Sequence, residues 1–220
     1  MPAFPLLLFR HPFSYSYFFC KFSKAKEGDC MKLYHGSNVI IEKPDLGLGR
    51  KNIDFGQGFY LTTEKSLAKK WACGRFEDSP FITEYYLSLQ DLTIYFFGYN
   101  QIWLDYIICN RLERELPEKL KFLEEIDVLI GPIVDDKLFR IIELYEKGVL
   151  SAKIAVKLLT CLGYSEQVVL KSKKSIELLK FISGEKINEK ECEKYKKEYE
   201  NDRKRAEEII EKELDKKYQK

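Results

Sequence analysis

The chain has 220 residues, 45% apolar and 33% charged, which suits one domain with a substantial core plus appendages and excludes wholesale disorder. A net charge of +2 supplies no global field for holding a nucleic-acid backbone. Six cysteines without a CxxC pair, and only two histidines, argue against a metal site and for a reducing, cytoplasmic setting; Cys73, Cys109 and Cys161, in apolar or helical contexts, read as small buried hydrophobes.

Residues 1 to 30 are rich in Phe, but Arg10 and His11 interrupt the apolar run and no basic stretch precedes it, which argues against a secretory signal or a membrane span. Met31 opens a strand-like segment, so residues 1 to 30 are expected to be a non-native or disordered extension. Next come a strand at KLYHGS, an irregular loop from Glu42 to Gly58, and a strand at GFYLTT. A helix is expected from Glu64 to about Cys73, with Thr63 as N-cap and Leu67, Ala68 and Trp71 at helical spacing. FITEYYLSLQDLTIYFF alternates in part and reads as two short strands or one bent one.

Helical spacing returns from Ile102 to Arg114, and a charged linker leads to IDVLIGP, a buried strand ended by Gly131 and Pro132. Two amphipathic helices follow, Asp136 to Glu146 and Ser151 to Leu162, with Gly148 as a C-cap between them and Gly163 as a break. EQVVLKS is a last β-branched strand, and SIELLKFI a short helix stopping at Gly184. Residues 186 to 220 alternate acids and bases with few apolar points, Ile209, Ile210 and Leu214 among them, and predict a mostly exposed helical tail. The expected class is therefore α+β, with a domain at 31–185 between an N-terminal extension and a charged tail.

Two segments carry the chemistry, YHGSN at 34–38 and DFGQGFYLTT at 54–63. Each sets a ring at a strand end beside glycine, where a ligand can approach backbone that a Cβ would shield. Taken singly, His35 reads as a strand-end histidine and Tyr60 as a core tyrosine. In order and spacing, however, His35-Gly36-Ser37, then Gly56-Gln57-Gly58-Phe59-Tyr60 leading into a helix with Ala68 and Ala72, resemble the ADP-ribosyltransferase superfamily in its diphtheria-toxin and poly-ADP-ribose polymerase branch. DFGxGFYLT, the IGPxxDD segment ending at Asp136 and a late Gln-initiated strand also resemble a bacterial family catalogued as a domain of unknown function.

The resemblance covers about residues 31 to 182 and implies a split β-sheet core with flanking helices and NAD as co-substrate without a metal. It implies transfer of ADP-ribose to a macromolecular acceptor, and a bacterial toxin or defence role with a cognate antitoxin; the charged tail itself offers a docking helix for a partner as the alternative to a solvated face. His35 would bind the adenosine-side ribose, Gly36 would let the nicotinamide amide meet main chain, and Tyr60 would stack on the nicotinamide. Ser37 and Gly58 belong to the same motifs as cofactor-binding positions, and Arg50 offers the pyrophosphate a cation, although a solvated loop explains Arg50 as simply.

A third residue would bind the 2'-hydroxyl of the nicotinamide ribose. Glu166 and Gln167 are adjacent, and neighbours on a strand face opposite sides, so only one can serve. Gln167 matches the Gln-initiated strand and is the preferred choice; Glu166 fits a polymerase-like Glu-x-Val-Val and could also act as a base. Asp135 and Asp136 read as helix N-caps and Asp54 as a turn former. A binder of NAD without turnover, and a plain interaction protein working through its tail helix, are the rival readings.

Overall fold

The computed structural model describes residues 30–76, 80–134, 138–161, 163 and 166–218. The expected N-terminal extension up to residue 29, the Asp135 and Asp136 caps, and Leu162 lie outside the described residues. The strands are β1 (Cys30–Ser37), β2 (Phe59–Thr62), β3 (Phe81–Ser88), β4 (Ile94–Phe96), β5 (Val128–Gly131), β6 (Gln167–Leu170) and β7 (Leu179–Lys186), of which β5 and β6 are buried at every position. They form one mixed sheet in the order β4-β5-β6-β2-β1-β3-β7, in which β4 and β5 run parallel and the other neighbours antiparallel. Thus 81–97 forms two separate strands.

Most neighbours are zipped along their length, but β1 and β2 meet at the single pair Tyr34 with Thr62. Beyond it the sheet opens, so a β4-β5-β6-β2 half and a β1-β3-β7 half share one point of backbone pairing. The α+β class with a split sheet is what the chain adopts.

One face of the sheet, with Met31, Leu33, Phe59, Leu61, Tyr85, Leu87 and Ile130, is covered by loops and by α5 (Lys173–Glu177). On the other face each half has its own core. Leu129 and Val169 pack with α2 (Gln101–Arg111), α3 (Leu138–Glu146) and α4 (Ala152–Leu159). Tyr34 and Ile82 pack with Ala68, Ala72 and Cys73 of α1 (Lys65–Arg75). Cys73 is buried as expected, whereas Cys109 and Cys161 are only partly so. Gly148, with φ +69°, ends α3 in the left-handed conformation expected of a C-cap.

Three local expectations are corrected. Cap and helix start lie one residue later than expected: Glu64 is the α1 N-cap and its N–H donates to Thr62 Oγ1 at 3.2 Å, not to Thr63. The charged linker before β5 contains a 3-10 helix, Glu118–Glu125, burying Leu120 and Leu123. The helix expected through residue 182 stops at Glu177, and Leu179 starts β7. There Leu179 and Phe181 pack onto the sheet while Lys180 and Ile182 face outward, a period of two that satisfies the edge of β3.

The tail is helical and mostly exposed, as expected, and it also docks on the domain. Residues Glu189–Tyr218 form α6, exposed over much of its surface, yet Tyr199, Ala206, Ile210 and Leu214 are buried along one stripe. Cys192 and Tyr195 pack on the α1 core, whereas Ile210 and Leu214 enter the core under α2 and α4. Pairs Lys69–Glu191 and Lys70–Asp202, each 2.7 Å, tie it to α1. The helix is therefore a docked strap across both half-cores, and burying its large apolar side chains contributes about 1.5–3 kcal/mol each. No helix among the described residues is long and apolar enough to cross a membrane.

Candidate functional site

Where β1 and β2 diverge, the fold leaves a cleft of about 900 Å³. One wall is His35, Gly36 and Ser37 of β1, and the other is Gly58, Phe59 and Tyr60 of β2. Gln167 and Asp54 line it as well, and Arg50 sits on the loop side. Six expected residues, His35, Gly36, Ser37, Arg50, Gly58 and Tyr60, thus share one cavity with Gln167. Glu166 is not among its lining residues; it is partly buried, and burial raises its carboxyl pKa.

His35 bridges the opening in the sheet. Its Nδ1 lies 2.7 Å from the Tyr60 carbonyl oxygen, and since a carbonyl only accepts, Nδ1 carries the proton. Burial, including a ring contact of 4.7 Å with Phe59, lowers the His35 pKa, which favours the neutral ring with Nε2 as an acceptor.

Tyr60 is held by its hydroxyl, which accepts from Phe55 N at 2.9 Å and donates to Gly56 O at 2.8 Å. Burial first, then the Asp54 carboxylate, raises its pKa, so the phenol stays neutral. Gly56 needs to be glycine: φ is +69°, and a Cβ would lie 2.4 Å from Asn110 Oδ1. Apart from the backbone bond from Gly56 N to Ile53 O at 2.8 Å, the turn obtains its hydrogen bonds from side chains instead of from a ladder. Lys171 Nζ donates to Phe55 O at 2.5 Å and Gln57 O at 2.6 Å, and Asn110 Nδ2 donates to Asp54 O at 3.3 Å.

Ligand access is not what excludes a side chain at the two other motif glycines. A Cβ on Gly36 would sit 2.1 Å from the Ala68 carbonyl oxygen of α1, and one on Gly58 would sit 2.8 Å from Leu170 O. Close packing of β1 on α1 and of the β2 entry on β6 therefore sets those positions. Ser37 Oγ is likewise engaged, donating to Val39 O at 2.5 Å.

Asp54 was legible as no more than a turn former, yet it is the most connected side chain of the cleft. Buried, it accepts from Arg111 Nε at 2.9 Å and Nη2 at 2.6 Å through Oδ1. Its Oδ2 accepts from Gln167 Nε2 at 3.2 Å and Val134 N at 3.4 Å. The sequence offered a partial signal, an acid directly before the FGQG turn, but nothing local linked it to Arg111. Trp71, Arg75, Tyr199 and Arg203 extend the cleft along α1 and α6. Arg75 lies 5.8 Å from the Trp71 ring centroid and Arg203 lies 6.0 Å from that of Tyr199.

A family model described as "Protein of unknown function (DUF3990)" matches residues 31–181. No curated protein and no solved structure matches the chain. The matched span carries His35, Tyr60 and Gln167 and stops before α6. The chain belongs to this family of proteins of unknown function, DUF3990.

Proposed function

We propose that the cleft binds NAD and that the protein is an ADP-ribosyltransferase acting on a macromolecular acceptor in the cytoplasm. The observation that carries this reading is the convergence of His35, Tyr60 and Gln167, from three separated segments, on one cleft at the split of the sheet. Neutral His35 offers Nε2 to a ribose hydroxyl, Tyr60 provides an aromatic wall, and Arg50 places a cation on the loop side.

In the reaction, the C1'–N bond to nicotinamide breaks and its electron pair neutralises the pyridinium nitrogen. The acceptor's nucleophile then bonds to C1' and loses its proton. Gln167 can stabilise the oxocarbenium-like ribose through its amide oxygen, but an amide takes up no proton at neutral pH. Asp54 is engaged by Arg111 and Gln167. The acceptor therefore supplies a nucleophile that needs little base assistance, and its proton passes to solvent.

Gln167 in place of a carboxylate also favours a second reading, a protein that binds NAD or an ADP-ribosylated ligand without turnover. Nicotinamide release from NAD, followed by chromatography with and without cell lysate, separates the two. Transfer predicts lysate-dependent release that falls at least about 100-fold in Gln167→Ala, the scale of losing a transition-state hydrogen bond. Calorimetric NAD binding with no release selects the binder, whereas absence of binding to both NAD and ADP-ribose contradicts both readings.

A further inference from the structure

The Gln167 amide has both kinds of hydrogen-bonding atom, and its surroundings decide which one meets a ligand. Its nitrogen lies 3.2 Å from Asp54 Oδ2 and 3.0 Å from the Pro132 carbonyl oxygen. Neither a carboxylate nor a carbonyl can donate, so the two N–H bonds point there and the orientation of the amide follows from chemistry. Among the described residues nothing donates to Gln167 Oε1, while the residue lines the cleft. Asp54 is itself gripped by two nitrogens of Arg111 on one oxygen, which leaves the other for Gln167 and Val134 N.

We infer that Asp54 and Arg111 are positioning residues that lock Gln167 with its oxygen toward the cleft, making the site selective for a ligand with a hydroxyl donor at that point. This rests on the NAD reading for the identity of the ligand, though not for the lock itself. A carboxylate would accept through either oxygen and need no orienting. An amide does, because flipping would present N–H groups to the hydroxyl and set its oxygen against two acceptors. The lock is what lets a glutamine occupy the place.

The test measures both consequences on the full chain. The side-chain amide protons of Gln167, assigned by their loss in Gln167→Ala, should exchange slowly in the free protein, and at least about tenfold faster in Asp54→Asn, where the partner can itself donate. Calorimetric titration with NAD and with its nicotinamide-ribose 2'-deoxy analogue should show wild type preferring NAD by about tenfold or more. Asp54→Asn should reduce that preference, and Asp54→Asn with Gln167→Glu should restore it, since the new side chain presents an acceptor oxygen either way. A merely structural role would weaken both ligands alike and leave their ratio intact. Should Asp54→Asn not fold, Arg111→Lys loosens the grip with Asp54 retained and should move exchange and ratio the same way. Unchanged exchange and an unchanged ratio in a folded variant would overturn the inference. Protected amide protons with no binding of NAD would overturn the ligand reading and leave the lock standing.

Discussion

At Gly36 a hydrogen atom is all that the space allows, because the Ala68 carbonyl oxygen of α1 would lie 2.1 Å from a Cβ. Gly36→Ala should cost about 1–3 kcal/mol in urea unfolding, as overpacking that shifts a helix does. Tyr60→Phe removes the hydroxyl that serves Phe55 N and Gly56 O; leaving these unpaired should cost about 1–3 kcal/mol by the same measurement. His35 adds a pH dependence. Its folded pKa lies below the ordinary value of 6.5, so the unfolded chain takes up the proton first as pH falls. The contribution of His35 is fully present above about 6.5 and is lost toward lower pH, so stability between about pH 7.5 and 5.5 should fall more in wild type than in His35→Gln.

The turn from Asp54 to Gly58 shows what an element can require from distant residues. Lys171, at the end of β6, donates to two of its carbonyls, and burial lowers the lysine pKa from 10.5 to about 8. Between those values the unfolded chain is protonated and the folded chain neutral, so this residue makes stability rise with pH. Lys171→Met should abolish that rise in denaturation series at about pH 7.5 and 10, while losing the two hydrogen bonds. The strands at KLYHGS and GFYLTT were legible because alternation and glycine stops are local signals. So was Gln167 as one of two adjacent choices, since only one of two neighbours on a strand can face a pocket. Lys171 and Arg111 were not, because a lone base near a helix end or strand end says nothing about the carbonyl or carboxylate it meets across the fold. β7 was misread for the opposite reason: Ile176, Leu178 and Leu179 mimic a helical period across the junction where α5 gives way to β7.

Across the whole molecule, the two halves of the sheet share one backbone pair, and α6 is what spans their cores. A sparse apolar pattern among charges looked like a solvated face because the sequence does not reveal that the other half of each contact lies in α1, α2 and α4. Leu214→Ala should cost about 2–4 kcal/mol in urea unfolding, the range for a buried leucine, where an exposed tail would lose almost nothing. The same split that makes the strap necessary creates the cleft, so architecture and ligand reading meet in a single observation. A crystal structure determined with NAD at saturating concentration tests it most directly. The dinucleotide is expected between β1 and β2, with its nicotinamide ribose at about 3 Å from Gln167 Oε1 and its adenosine-side ribose at His35. NAD bound on another surface, or an empty cleft at saturation, would contradict it.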